Sequence, residues 1–175
     1  MHKGSAAARG FTLIETMATV AVAGIVMTAA VPSLHGYVDQ QRLKGIAGEL
    51  SSDLQHARSE ALLRNEGVRV TFNGNACYVV HTGAADRCRC DANGIGRCDE
   101  GPAPLKTVAL PAAQGIALHA NVRSVLFAPE HGTASPMATL RLTGPQGRTL
   151  QHTVNLMGRV RSCAAHGAMA GYAAC

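Results

Sequence analysis

Two arginines spaced two apart, Arg159 and Arg161 in the run Gly158-Arg159-Val160-Arg161, are the residues of this chain best suited to a chemical task. In an extended segment, side chains two apart share a face. Two guanidinium forks on one face can each grip a phosphate bidentately, and Gly158 beside them would allow close backbone approach. The surrounding sequence strengthens the field. Residues 101–175 hold six cations (Lys106, Arg123, Arg141, Arg148, Arg159 and Arg161) against Glu130 alone, whereas residues 32–100 hold eight against nine acids. A polyanion is the expected partner of this C-terminal part, with Arg141 and Arg148 as supporting cations. His152 and His166 would add positive charge below about pH 6.5. Nothing specifies base edges, so contact with nucleic acid is expected at phosphates, without sequence preference and sensitive to salt. Three Phe, three Tyr and no Trp leave little on which to stack bases.

The six cysteines, Cys77, Cys88, Cys90, Cys98, Cys163 and Cys175, are the second group with chemical potential. Cys88-Arg89-Cys90 with Cys98 supplies three soft metal ligands but no fixed fourth. Asp86, Asp91, Asn93 and Asp99 do not follow the spacing of a helix-loop-helix calcium site. His56, Arg58 and Glu60 read as a solvated helix face. No nucleophile, metal or phosphate-loop signature groups the His, Asp, Ser and Cys residues, so neither an enzyme nor a metal or other cofactor is expected.

The elements that must position these groups begin with Arg9-Gly10-Phe11-Thr12-Leu13-Ile14-Glu15, which runs into an apolar segment reaching Val31. A short basic leader ends at Gly10, so cleavage there leaves the apolar helix attached, unlike an ordinary secretory signal. The arrangement resembles the prepilin signal of type IV pilins and type II secretion pseudopilins. The resemblance implies a prepilin peptidase that cuts between Gly10 and Phe11 and methylates the new N-terminal Phe11. Residues 11–31, as a helix, would span roughly 30 Å and cross a bilayer once. Lys3 and Arg9 precede the segment with no acid among them, which keeps the N-terminus in the cytoplasm and the remainder outside. Glu15 is anomalous there, because a carboxylate within a bilayer costs on the order of 3 kcal/mol. In pilin-like families the glutamate at this position neutralises the N-terminal ammonium of a neighbouring subunit, which implies an assembly role for Glu15.

An oxidising compartment outside the cytoplasm favours disulfides over thiols or zinc. Six cysteines allow many connectivities, and the sequence does not choose among them. Cys77 is placed to staple a Cys-rich loop to its neighbouring strand. A bridge between Cys163 and Cys175 would contribute roughly 3 kcal/mol by restricting the unfolded chain.

Beyond residue 31 the pattern stays helical, with Leu34, Val38, Ile46, Leu50, Leu54, Ala57 and Ala61 forming an apolar stripe. The helix is expected to end near Asn65 to Gly67, with glycine as the breaker. Runs of strand-like content follow at 68–72, 76–82, 105–110, 115–119, 122–128, 138–143 and 149–155, separated by turn signals such as Asn73-Gly74-Asn75 and Gly144-Pro145-Gln146-Gly147. The fold class is α+β: a long N-terminal helix, half transmembrane and half amphipathic, packed on an antiparallel β-sheet domain. The divisions are a leader at 1–10, a transmembrane helix at 11–31, an amphipathic extension at 32–65, a β-rich domain at 66–162 with an irregular Cys-rich loop at 83–104, and a tail at 163–175.

The helix segment Leu54-Gln55-His56-Ala57-Arg58-Ser59-Glu60-Ala61-Leu62, followed by Arg64-Asn65 and Val68-Arg69-Val70-Thr71-Phe72, resembles the GspH/FimT family of minor pilins and pseudopilins. In DNA-uptake members of the FimT branch a Gly-Arg-x-Arg motif near the C-terminus is associated with DNA binding, and residues 158–161 match it. The resemblance implies a minor type IV pilin that contributes to pilus assembly and DNA capture during natural transformation. Its partners would be other pilin subunits, the prepilin peptidase, the bacterial inner membrane and DNA, with the C-terminal domain periplasmic before assembly into a pilus. The alternative is an H-type pseudopilin of a type II secretion system.

Overall fold

The computed structural model describes residues 10–90, 93–99 and 104–175, with the side chains of 29–33 and 112 excepted. The expected leader at 1–10 therefore lies almost wholly outside the described residues, as do parts of the 83–104 loop. The chain divides into two compact units, Met1–Val38 and Asp39–Cys175. One helix, α1 (Leu13–Arg64), contributes to both.

In the first unit the backbone N–H groups of Glu15 and Thr16 donate to the Thr12 carbonyl, and Glu15 lies in the first turn of α1, where a carboxylate is favoured by the helix dipole. Phe11, Leu13, Ile14, Met17, Val20, Val22, Ile25, Val26 and Met27 are all exposed. The hydroxyls of Thr16, Thr19 and Thr28 donate back to carbonyls three residues earlier, so they add little free polarity to this surface. The transmembrane span expected over 11–31 is not confirmed: among the described residues no helix is long and apolar enough to cross a membrane.

In the second unit α1 buries Leu43, Ala47, Leu50, Leu54, Ala57 and Ala61. Their alternating spacing of four and three keeps them on one face of the helix. The expected stripe is thus corrected at its start: Leu34 and Val38 are exposed, while Leu43 and Ala47 continue the inward face. Each fully buried leucine contributes roughly 1.5–3 kcal/mol. The helix stops because Asn65 adopts a left-handed conformation, φ 50°, and the Glu66 N–H returns to the Ala61 carbonyl. That closure satisfies an otherwise orphaned carbonyl, so Asn65 rather than Gly67 is the breaker.

Among the described residues eleven strands follow: β1 Val68–Asn73, β2 Cys77–His81, β3 Cys88–Cys90, β4 Gly96–Cys98, β5 Lys106–Ala109, β6 Ala117–Ala120, β7 Ser124–Phe127, β8 Ala134–Ser135, β9 Ala138–Thr143, β10 Thr149–Val154 and β11 Val160–His166. They form antiparallel sheets ordered β5-β2-β1-β7-β8 and β11-β10-β9-β6, with β3-β4 as a separate pair. Val68, Val70, Phe72, Tyr78, Val80 and Phe127 of the first sheet and Leu118, Leu140, Leu142, Leu150 and Val154 of the second share one core with the helix stripe.

A polar clip fastens α1 to the first sheet. Buried Asp53 accepts from the Tyr78 hydroxyl at 2.7 Å and from Lys106 Nζ at 2.7 Å, and Lys106 also donates to Glu49 at 3.0 Å. Burial works against the Lys106 charge, but its bonds to Asp53 and Glu49 outweigh it and hold the ammonium above its usual range. Burial, then Asp53, pushes the Tyr78 phenol up, so Tyr78 remains a donor.

The Cys-rich segment is not an irregular loop throughout. β3 and β4 pair so that Cys88 faces Cys98, which bond, while Cys77–Cys90 ties the pair to β2. Short strands with few apolar side chains hold their pairing here through these two covalent links. Because Cys88, Cys90 and Cys98 are all in disulfides, the three-thiolate metal alternative has lost its ligands.

Candidate nucleic-acid interface

The site is built on the hairpin of β10 and β11. Leu150, His152 and Val154 alternate inward from β10, leaving Gln151 and Thr153 on the outer face. Asn155 shapes the connection: its N–H donates to the Arg159 carbonyl, its carbonyl accepts from the Gly158 N–H at 2.9 Å, and its Oδ1 accepts from the Arg159 N–H at 2.9 Å. The chain can turn there because Gly158 sits at φ 70°, a region L side chains avoid.

Gly158 does not have the role expected for it. It is buried, and a Cβ there would collide with the Gly132 carbonyl oxygen and press on Arg58. The Arg58 Nε–H donates to that same carbonyl at 2.9 Å. Gly158 is therefore occupied in packing against α1 and the β7–β8 loop and is not open to an approaching phosphate backbone. Arg58, expected on a solvated face, instead reaches from the helix to hold two loops. Glu60 keeps to the helix surface with Arg64 and His56.

Arg159 and Arg161 are both exposed, and Val160 between them packs against the core, so the two guanidinium groups face outward. Arg161 stands opposite Thr153, which stands opposite Thr139. In the next row Gln151 stands opposite Arg141 and accepts from its Nε–H at 2.9 Å, and Arg141 stands opposite His119. The outer face of this four-stranded sheet thus brings Arg161, Arg141 and His119 together. None of its strands contains an Asp or Glu. Among the described residues Arg159 and Arg161 form no ion pair, so their charge is available.

Other expected contributors lie elsewhere. Arg148 is at the opposite end of β10 from Asn155, its side chain against Gly167. His152 is fully buried on the inward face, where Nδ1 contacts Ser162 Oγ at 2.8 Å. Burial holds its pKa below the usual histidine value, against a weaker opposing influence of the Ala47 backbone, so it adds no surface charge in mild acid. His166 is exposed near the end of β11. The expected boundary at residue 163 also moves, since β11 runs on to His166. The Cys163–Cys175 bridge folds the following tail back along that strand, with Ala164 N–H donating to the Ala173 carbonyl and Cys175 N–H to the Ala164 carbonyl.

Sequence reasoning did not single out His119, although the buried Leu118 before it fixes its outward direction by alternation. The Arg58–Gly132–Gly158 contact carries no local signal, because Arg58 and Gly132 are 74 residues apart.

The sequence profile described as type II transport protein GspH matches residues 47–158, more than half of the chain. The chain belongs to the GspH family. A profile for the prokaryotic N-terminal methylation motif matches residues 5–31, ahead of the GspH region. Among solved structures, this GspH-family fold is similar to the type IV minor pilin FimU of Pseudomonas aeruginosa, at 17% identity over 75% of this chain and 98% of that one, with a TM-score of 0.57. It is also similar to the minor pseudopilin EpsH from the type 2 secretion system of Vibrio cholerae, at 14% identity over 70% of this chain and 97% of that one, with a TM-score of 0.50. At such identities the likeness is one of fold. Comparison with curated protein sequences gives no match.

Proposed function

We propose that this protein is a minor type IV pilin that contributes to pilus assembly and captures DNA during natural transformation, with Arg159 and Arg161 taking the phosphates. The observation that carries the reading is the exposure of both guanidinium groups on the outer side of a sheet whose strands hold no carboxylate. Cation pairs on such a face attract a polyanion over several ångströms and bind it bidentately at contact. The role is one of structure and binding rather than catalysis.

The methylation-motif match and the exposed apolar side chains of the first unit support a processed anchor. In this reading the prepilin peptidase cuts between Gly10 and Phe11 and methylates Phe11. The apolar segment then holds the subunit in the bacterial inner membrane, domain in the periplasm, until assembly. Glu15 compensates the N-terminal ammonium of a neighbouring pilin subunit in the filament.

The test is DNA binding by the full, oxidised chain in nonionic detergent, wild type against Arg159→Gln/Arg161→Gln, at several salt concentrations. The expected result is salt-sensitive binding in the wild type and a loss of tenfold or more in the double variant, with the slope of log affinity against log salt falling by about two. Equal binding by both proteins refutes the assignment. A second reading, an H-type pseudopilin of a type II secretion system, is favoured by the family description and the likeness to EpsH. It makes the arginine pair incidental and expects no DNA binding by the folded wild type.

A further inference from the structure

We propose that the phosphate path extends beyond the Arg159/Arg161 pair, crossing the outer face of the four-stranded sheet to Arg123, and that its ligand is the backbone of duplex DNA. The inference rests on the DNA-binding reading above and enlarges its surface.

Strand register sets the first part of the path. From Arg161 on β11 to His119 on β6 there are three inter-strand steps of about 4.8 Å, with Arg141 on the strand between β10 and β6. Surface relief sets the second part. A hollow lined by His119, Asn121, Thr139 and Arg141 adjoins another that shares His119 and Asn121 and continues to Arg123 and Gly74. Arg123 is exposed, and the Asn121 amide and threonine hydroxyls along the path are neutral hydrogen-bonding groups. The run of uncompensated charge then ends at Arg123, because the hollow on its other side is also lined by Asp86.

The path is on the order of 20 Å long by strand spacing and residue rise. Each strand of a duplex carries a phosphate about every 3.4 Å of axis, so a path of this length meets several phosphates where the arginine pair alone meets two. Among the described residues it presents no exposed Phe, Tyr or Trp: Phe72, which lines the second hollow, is buried. Without a stacking platform, splayed single-strand bases gain nothing, and a paired backbone suffices.

The experiment measures affinity for a fluorescent 30-base-pair duplex across a salt series, using the full oxidised chain in nonionic detergent. Arg123→Gln, Arg141→Gln, Arg148→Gln and Arg159→Gln/Arg161→Gln are compared with wild type, each checked for an unchanged melting temperature. Arg123→Gln and Arg141→Gln are each expected to weaken binding about three- to tenfold and to lower the salt slope by about one, whereas Arg148→Gln changes neither. If the pair variant loses binding while Arg123→Gln and Arg141→Gln bind as wild type does, the extended path is wrong and the DNA reading stands. If folded wild type does not bind the duplex, both are wrong.

Discussion

Gly158 illustrates how a residue beside a proposed binding pair can be held in place by packing alone. Its left-handed backbone and its contact with the Gly132 carbonyl each exclude a Cβ, so the glycine fixes where the following arginines emerge. Gly158→Ala is expected to destabilise the fold by on the order of 2–3 kcal/mol, the sum of backbone strain and a displaced loop. Calorimetry would read this as a melting temperature lower by roughly 5–10 °C. A melt indistinguishable from wild type would show that the turn relaxes without loss. Arg58 reinforces the same junction from the helix, so a residue of α1 helps to set the geometry of a turn near the other end of the chain.

At the scale of elements, β11 and its tail depend on each other. Tail residues bond to both backbone groups of Ala164, and Met169 is buried, but the tail holds two glycines and several alanines and has little else to keep it ordered. Replacing both Cys163 and Cys175 by Ser is expected to remove about 3 kcal/mol, the entropy of closing a loop of this size. Urea denaturation measures it directly, and a loss below about 1 kcal/mol would mean that the tail holds itself. This interdependence also explains what the sequence made legible. Strands β1, β2, β5, β6, β7, β9 and β10 announce themselves by strand-like content between turn signals; β9 and β10 also alternate, because each packs one face on the core, whereas β2 is an apolar run buried throughout. Strands β3 and β4 do not, since their order comes from cysteine pairing that no periodicity encodes. The end of β11 reads as tail because Ala164, Ala165 and His166 carry no strand pattern. For the site, the expectation that Arg159 and Arg161 share a face rests on spacing alone, and both side chains are exposed. The burial of Gly158 and His152 and the reach of Arg58 depend on packing between elements distant in sequence, and those expectations fail.

For the molecule as a whole, two buried histidines make stability depend on pH. His81 is held to about 4 by burial and then by the nearby Arg69 charge, with its Nδ1 accepting from the Gly83 N–H and its ring bonded to Thr71 through Nε2. His152 is lowered as well. A base whose folded pKa lies below its unfolded value of about 6.5 favours unfolding as pH falls, because only the unfolded chain takes up the proton. Stability should therefore be level above about pH 7 and decline below 6.5, by up to about 1.4 kcal/mol per pH unit for each histidine, with the His81 share complete near pH 4. Denaturation curves at pH 7, 6 and 5 test this, and His81→Gln should flatten the slope; an unchanged slope in that variant would remove His81 from the account.

The three disulfides also bear on how such a subunit would carry mechanical load. They join residues 13, 10 and 12 positions apart, and none involves α1, which contains no cysteine. A pull on the helix part of the second unit is resisted by non-covalent contacts: side-chain packing, the clip of Asp53, Glu49, Tyr78 and Lys106, and the Arg58–Gly132 bond. Under rising tension the helix would part from its sheets before any covalent bond was strained. The bonded hairpins would stay closed, ready to receive the helix again when the tension is released.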